Sequence, residues 1–236
     1  MSSMKVKAVI FDLGETLIDA QKSIRKAHAK ITQMINYHFK RKKLNLKESQ
    51  ILREIRSFEE KMNLEGKHDR DKWWQMIVNN LGMNLVLPRA FIRRLTKTYW
   101  HVYTGSSKPY RDTLSTLRYL KKKGLLLGLL SDTDSLKGMK TLRINKLPFK
   151  HFFNVIAIAG EDTAEMKPSP EPCELIARKL GVTTSECVFV GDKPLTDIKG
   201  AKTAGMKTTH ICRKDWRVDV KADWEIKSLS ELRRIL

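Results

Sequence analysis

Short, nearly all-apolar runs that each stop on a polar residue constrain this chain most. Residues 6–11 read Val-Lys-Ala-Val-Ile-Phe and end at Asp12. Residues 125–130 end at Ser131 and Asp132, and Val188-Phe189-Val190 ends at Gly191 and Asp192. Runs this apolar suit strands buried on both faces, which is the situation in a parallel sheet. Between them the apolar spacing is helical. The stretches 111–123, 174–180 and 197–204 stop at Gly124, Gly181 and Gly205, residues suited to helix C-termini. Two more strands are expected at 152–159 and 208–211. Strands alternating with helices predict an α/β core, a doubly wound (Rossmann-like) parallel sheet.

Residues 20–107 interrupt that pattern. Ile24, Ala27, Ile31, Met34 and Ile35 repeat on one helical face, and periodic stretches follow at 47–64, 71–81 and 88–103. Pro88 suits a first helical turn. Four helices with short polar breaks read as a bundle inserted after the first strand. The expected domains are therefore 1–19 with 108–236 as the α/β core, and 20–107 as the helical insertion. A chain of 236 residues is long enough for both. With 41% hydrophobic and 31% charged residues, it is expected to fold rather than to be disordered. No run approaches the ~18 apolar residues of a membrane span, so no membrane partner is expected. The N-terminal residues lack a signal-peptide pattern, which gives a cytoplasmic expectation. Cys173, Cys187 and Cys212 form no CxxC or CxxH arrangement and read as idle thiols.

In a doubly wound sheet, ligands bind beyond the carboxyl ends of the strands. Asp12, Ser131 and Asp192 stand at three such ends, with Lys167 in a loop after another strand. Any one of them could be a turn or cap residue. In this order they resemble the four motifs of the haloacid dehalogenase (HAD) superfamily. The motifs are Asp12-Leu13-Gly14-Glu15-Thr16, the strand ending at Ser131, Lys167-Pro168-Ser169-Pro170, and Gly191-Asp192 with Asp197. Ala204-Gly205-Met206 also looks like the family, and the insertion looks like its helical C1-type cap. The resemblance implies a phosphatase acting on a small phosphorylated metabolite, with Asp12 as nucleophile and an aspartyl-phosphate intermediate. It implies Mg²⁺ held by Asp12, Asp192 and the backbone carbonyl of Gly14. Lys167, Ser131 and the neighbouring Asp132 would face the phosphoryl group. Asp197 would support the metal shell or orient Lys167. The cap would close over the substrate.

One position departs from the family. Its phosphatases usually carry a second Asp two residues after the nucleophile, for proton transfer, and this chain has Gly14 there. General acid–base catalysis is worth about 10²–10⁴-fold, so the gap matters. Glu15, or His28 and His38 in the insertion, are the substitutes to weigh. A substrate with a good leaving group, or a silent protein that keeps phospho-ligand binding, are the other readings. Dehalogenation also uses an aspartate nucleophile. The family's dehalogenases carry a Ser-Asn-rich fourth motif and no Mg²⁺, so Gly191-Asp192 favours the phosphate branch.

The formal net charge is +20. Residues 20–107 hold 19 Lys and Arg against 7 Asp and Glu, a surplus of 12. Phe39-Lys40-Arg41-Lys42-Lys43 is the densest run, and Trp73, Trp74, Tyr99, Trp100 and Tyr103 supply aromatics. A solvated face over an aromatic bundle core is preferred to nucleic-acid binding, and steering of an anionic substrate is retained. A Lys-rich, heat-adapted composition would account for the same charge.

Overall fold

The computed structural model describes residues 6–65, 67, 69–216 and 218–236. The chain forms two units, Met1–Asp19 with Lys108–Leu236, and Ala20–Ser107. The second holds four helices: α1 (Gln21–Arg41), α2 (Glu48–Leu64), α3 (Arg70–Asn80) and α4 (Arg89–Ser106). Helix α1 buries Ala27, Ile31, Ile35 and Phe39, a four-residue repeat that draws one stripe along it. It packs on α2 and α4, and α3 closes the ring against both. Pro88, expected inside the first turn of α4, stands just before it with ψ 137°. A ring that fixes φ and lacks an N–H is harmless at that boundary.

The interior of this unit is not purely apolar. Glu59 accepts from His28 Nε2 at 2.8 Å, Arg70 Nη1 at 3.0 Å and Tyr99 Oη at 2.9 Å. The Arg70 guanidinium lies 3.7 Å from the Tyr99 ring centroid and 4.4 Å from that of Trp73. Burial alone would raise the Glu59 pKa, but Arg70 and His28 outweigh it and hold the carboxyl below its ordinary range. The aromatic cluster is thus a packed core built around one compensated charge.

In the first unit, β1 (Ala8–Phe11) leads to β2 (Ile18–Asp19), which pairs antiparallel with β3 (Lys108–Pro109). The remaining strands are β4 (Leu126–Asp132), β5 (Val155–Ala159), β6 (Cys187–Gly191), β7 (Lys207–Ile211) and β8 (Trp224–Ile226). The sheet order is β5-β4-β1-β6-β7-β8, and every pair is parallel. Helices α5 (Thr113–Lys122), α6 (Met139–Ile144), α7 (Glu171–Leu180), α8 (Lys199–Thr203) and α9 (Leu232–Ile235) belong to this unit. All four residues of β1 are fully buried, as a central strand requires. The chain runs from β1 outward through β4 and β5, then returns to the other side of β1 for β6. That reversal opens a crevice at the carboxyl ends of β1, β4 and β6.

The helix expected over 197–204 is divided. A π-helical turn, Pro194–Ile198, precedes α8. The Ile198 N–H reaches the Lys193 carbonyl five residues back at 3.3 Å, the bond that widens the turn, while Asp197 Oδ2 accepts the Lys193 N–H at 3.1 Å. The strand expected from residue 152 begins at Val155, because Lys150–Phe152 form a 3₁₀ turn. Among the described residues, no helix is long and apolar enough to cross a membrane.

Candidate active site

Three strand ends converge. The Asp12 N–H, just past β1, bonds the Val190 carbonyl of β6 at 2.9 Å. Ser131 and Asp132 finish β4 on the other side of β1, and Asp192 follows β6. Lys167 lies in the loop between β5 and α7 and is 2% exposed. Its Nζ is 2.7 Å from Asp12 Oδ1, 2.7 Å from Asp197 Oδ1 and 3.6 Å from Asp132 Oδ2. Burial disfavours that ammonium, but Asp12, Asp132 and Asp197 outweigh it and hold the lysine pKa well above its ordinary value. The result is a permanent cation fixed against a carboxylate.

A second group of charges adjoins it. One carboxylate oxygen from each of Asp12, Asp192 and Asp197 lies within 4.8 Å of the others, and all three residues are buried. Asp192 Oδ1 receives a long contact from Thr16 Oγ1 at 3.5 Å, while its Oδ2 is buried without a hydrogen-bond partner. Such an orphaned anionic oxygen is costly unless a cation reaches it. Burial raises the pKa of Asp192, and repulsion from Asp197 and Asp12 adds to it. Asp197 is also raised, mainly by burial, with Lys167 offsetting part of the effect. An all-oxygen set this crowded fits a hard divalent ion such as Mg²⁺. Gly191 permits the crowding, since a Cβ there would lie 2.5 Å from Asp197 Oδ2.

This crowding makes stability depend on pH. The folded chain holds protons on Asp192 and Asp197 to higher pH than the unfolded chain does. Stability of metal-free protein therefore falls as pH rises from the unfolded carboxylate value, about 4, through the raised folded values. Thermal melts at pH 4.5 and pH 7 should show that fall for wild type and a smaller one for Asp192→Asn. Mg²⁺ should reduce it in wild type. Equal slopes for both proteins would contradict the assignment.

Each residue singled out in the sequence has a definite place. Asp12, Lys167, Asp192 and Asp197 form one connected cluster. Asp132, expected beside the phosphoryl group, adjoins Lys167. Its Oδ1 accepts the Lys167 backbone N–H at 3.1 Å and its Oδ2 faces the Lys167 ammonium. Both of its oxygens thus lie against Lys167. Gly14 lies in a short bridge with Ile18 and brings no side chain. Glu15, weighed as a substitute acid, has φ 58° and accepts from Tyr110 Oη at 3.1 Å. His28 is bound to Glu59 inside the helical unit, and His38 stacks on Phe91 with centroids 4.5 Å apart.

A buried triad beside Ser131 lies outside the residues singled out in the sequence. Lys140 Nζ donates to Ser131 Oγ at 3.2 Å and lies 2.9 Å from Asp134 Oδ1. Arg143 Nη1 reaches the two Asp134 oxygens at 2.6 Å and 2.5 Å. Burial would raise the Asp134 pKa, but these two cations lower it. The available signal was Lys140 and Arg143 three residues apart on α6, shortly after Asp134.

Comparison with known proteins agrees with this arrangement. The family described as haloacid dehalogenase-like hydrolase matches residues 6–205. A glyceraldehyde 3-phosphate phosphatase of Methanocaldococcus jannaschii is 30% identical over 240 residues, covering 96% of this chain and 95% of that protein. The human N-acylneuraminate-9-phosphatase is 26% identical over 254 residues, covering 100% of this chain and 96% of that one. A solved HAD phosphatase from Thermococcus onnurineus superposes with a TM-score of 0.69 at 26% identity, covering 98% of this chain and 97% of that one. A parallel sheet with charged residues gathered at three strand ends, and a family match across most of the length, place this chain in the haloacid dehalogenase-like hydrolase family.

Proposed function

We propose that this chain is a Mg²⁺-dependent phosphatase that hydrolyses a small phosphomonoester through an aspartyl phosphate on Asp12. The observation that carries the reading is the buried Lys167, clamped between Asp12 and Asp197 beside the orphaned Asp192 oxygen. Only one side of that cluster is neutralised by the lysine. A bound divalent ion and a phosphoryl group would complete its charge balance.

Asp12, Asp192 and the Gly14 carbonyl would hold Mg²⁺, which supplies charge neutralisation to the carboxylates and to phosphoryl oxygens. Asp12 attacks phosphorus, and the bond from phosphorus to the organic oxygen breaks. The leaving oxygen takes its proton from solvent, because position 14 offers no carboxyl. Water then adds to phosphorus, its proton passes to solvent, and inorganic phosphate leaves Asp12 as it began. Lys167 holds its charge at the equatorial oxygens throughout, oriented by Asp132 and Asp197. Residues 20–107 are assigned to substrate choice, as the cap of the family. The similar phosphatases are named for glyceraldehyde 3-phosphate and N-acylneuraminate 9-phosphate, so primary alkyl phosphates are the first substrates to try. Phosphate release from these compounds and from p-nitrophenyl phosphate, with Mg²⁺ or with EDTA, tests the proposal. Release that ignores EDTA would contradict the metal role.

Lys140 enters as a positioning residue. By donating to Ser131 Oγ it fills a lone pair of that hydroxyl and leaves the O–H to point elsewhere, toward the phosphoryl oxygens. Ser131→Ala should lower kcat/KM by about 10²-fold, in line with loss of one preorganised donor. Lys140→Met should cost less, and in the Ser131→Ala background it should cost almost nothing further. Independent, multiplicative losses would mean that Lys140 acts only through folding.

A further inference from the structure

The surplus charge of the helical unit is segregated. Helices α1 and α4 carry ten Lys and Arg and not one Asp or Glu. Helices α2 and α3 carry five Lys and Arg against five Asp and Glu. A generally basic composition would load all four helices alike, so the segregation needs its own explanation.

The two acid-free helices are neighbours and run antiparallel. Lys26 Nζ, early in α1, approaches Ser106 Oγ at the end of α4 at 3.5 Å, and His38, late in α1, stacks on Phe91 at the start of α4. The end of α1 therefore lies beside the start of α4. There Lys40, Arg41, Arg89, Arg93 and Arg94 are all exposed, with Lys42 and Lys43 following directly. Among the described residues, none of these seven forms a salt bridge. The local potential registers on His38: burial lowers its pKa, and Lys42 and Arg41 lower it further. Tyr37, one turn earlier on α1, is 65% exposed.

We infer that the end of the helical unit formed by the C-terminus of α1 and the N-terminus of α4 binds single-stranded nucleic acid. The cations would track the phosphodiester backbone and Tyr37 would stack on a base. A small phosphate ester has too little charge to match seven unpaired cations, whereas a strand supplies one phosphate per nucleotide. A planar ring beside a basic surface suits an unstacked base. Membrane docking is less well served, because of the exposed large apolar side chains of this unit only Tyr37 belongs to α1 or α4. The inference is independent of the phosphatase proposal.

The test is fluorescence anisotropy of the full chain with a labelled oligo(dT) and an oligo(U), at 50 and 200 mM KCl. Two charge-matched variants accompany wild type: Lys40→Gln/Arg41→Gln/Arg93→Gln on the proposed face, and Arg53→Gln/Arg56→Gln/Lys61→Gln on α2. All six positions are exposed. With about five phosphate contacts on a single strand, wild-type affinity should fall about 100-fold between the two salt concentrations. The α1/α4 variant should bind at least about 30-fold more weakly at 50 mM, with a shallower salt slope. The α2 variant should stay within about three-fold of wild type, since it touches no backbone phosphate. Tyr37→Ala should weaken binding with the salt slope unchanged, as loss of stacking does. No binding at 50 mM, or equal weakening by both triple variants, would overturn the inference. So would face-dependent binding to phosphatidylserine vesicles without binding to either oligonucleotide.

Discussion

Asp12→Asn is expected to reduce phosphate release to background, a loss of at least about 10⁴-fold, because it removes the nucleophile rather than a supporting contact. The substitution is nearly isosteric, so the fold should persist. It is not electrostatically neutral. Lys167 would lose its 2.7 Å partner Asp12 Oδ1 while keeping Asp197 at 2.7 Å. The crowding around Asp192 and Asp197 would ease, because Asp12 contributes to the raised pKa of both. Metal-free Asp12→Asn should therefore melt within a few degrees of wild type at neutral pH while its turnover vanishes. Circular-dichroism melts alongside phosphate-release assays check both halves. Activity that survived in a folded Asp12→Asn protein would remove the aspartate from the chemistry.

Lys167→Met is expected to damage stability and activity together. The side chain is 2% exposed and faces three carboxylates, and methionine leaves those charges without their cation. Removing one partner from a buried ionic cluster typically costs about 3–5 kcal/mol. Turnover should fall by about 10³-fold or more, as for other losses of a fixed charge beside a transferring phosphoryl group. The pH dependence has a definite sign. The folded pKa of Lys167 lies above its unfolded value of about 10.4, so its stabilisation is complete below that pH and fades only as pH rises toward the folded value. Wild type should therefore outlast Lys167→Met in urea titrations at pH 7 and pH 9 by a similar margin. A margin that closed between those two values would show a lysine with a depressed pKa, contrary to its three acidic neighbours. Mg²⁺ should narrow the gap in part, because it supplies positive charge to the same carboxylates.

The strands were legible because burial on both faces leaves little choice of residue. Ala8–Phe11 and Cys187–Gly191 have no exposed member, and their sequences show it as unbroken apolar runs. The cluster at their ends was legible for a related reason. Polar residues directly after such runs fall on one edge of the sheet, whatever the loops do. The three-residue edge strand Trp224–Ile226 escaped, with one exposed residue and no run to mark it. The turn at Pro194–Ile198 is widened by backbone bonds that span five residues, which an apolar period does not register. Lys140 escaped for the deepest reason. Nothing in a six-residue helix says that its lysine is buried; only the tertiary approach of Asp134 and Ser131 makes that position tolerable. The cations of α1 and α4 were counted in the sequence. Their segregation became visible once Lys26–Ser106 and His38–Phe91 fixed which helices are neighbours.

Position 14 bears on both halves of the proposed reaction. A carboxyl there would protonate the leaving group and later activate water, and neither service is available from glycine. The second step should suffer as much as the first, so a covalent intermediate should accumulate when the leaving group is good. The most direct measurement exploits that. Wild-type protein with Mg²⁺ and p-nitrophenyl phosphate would be quenched in acid during turnover, digested, and its peptides examined by mass spectrometry. A phosphoryl adduct is expected on the peptide containing Asp12, absent with EDTA and absent in Asp12→Asn. Turnover that proceeds with no adduct on that peptide, or an adduct on another residue, would contradict it.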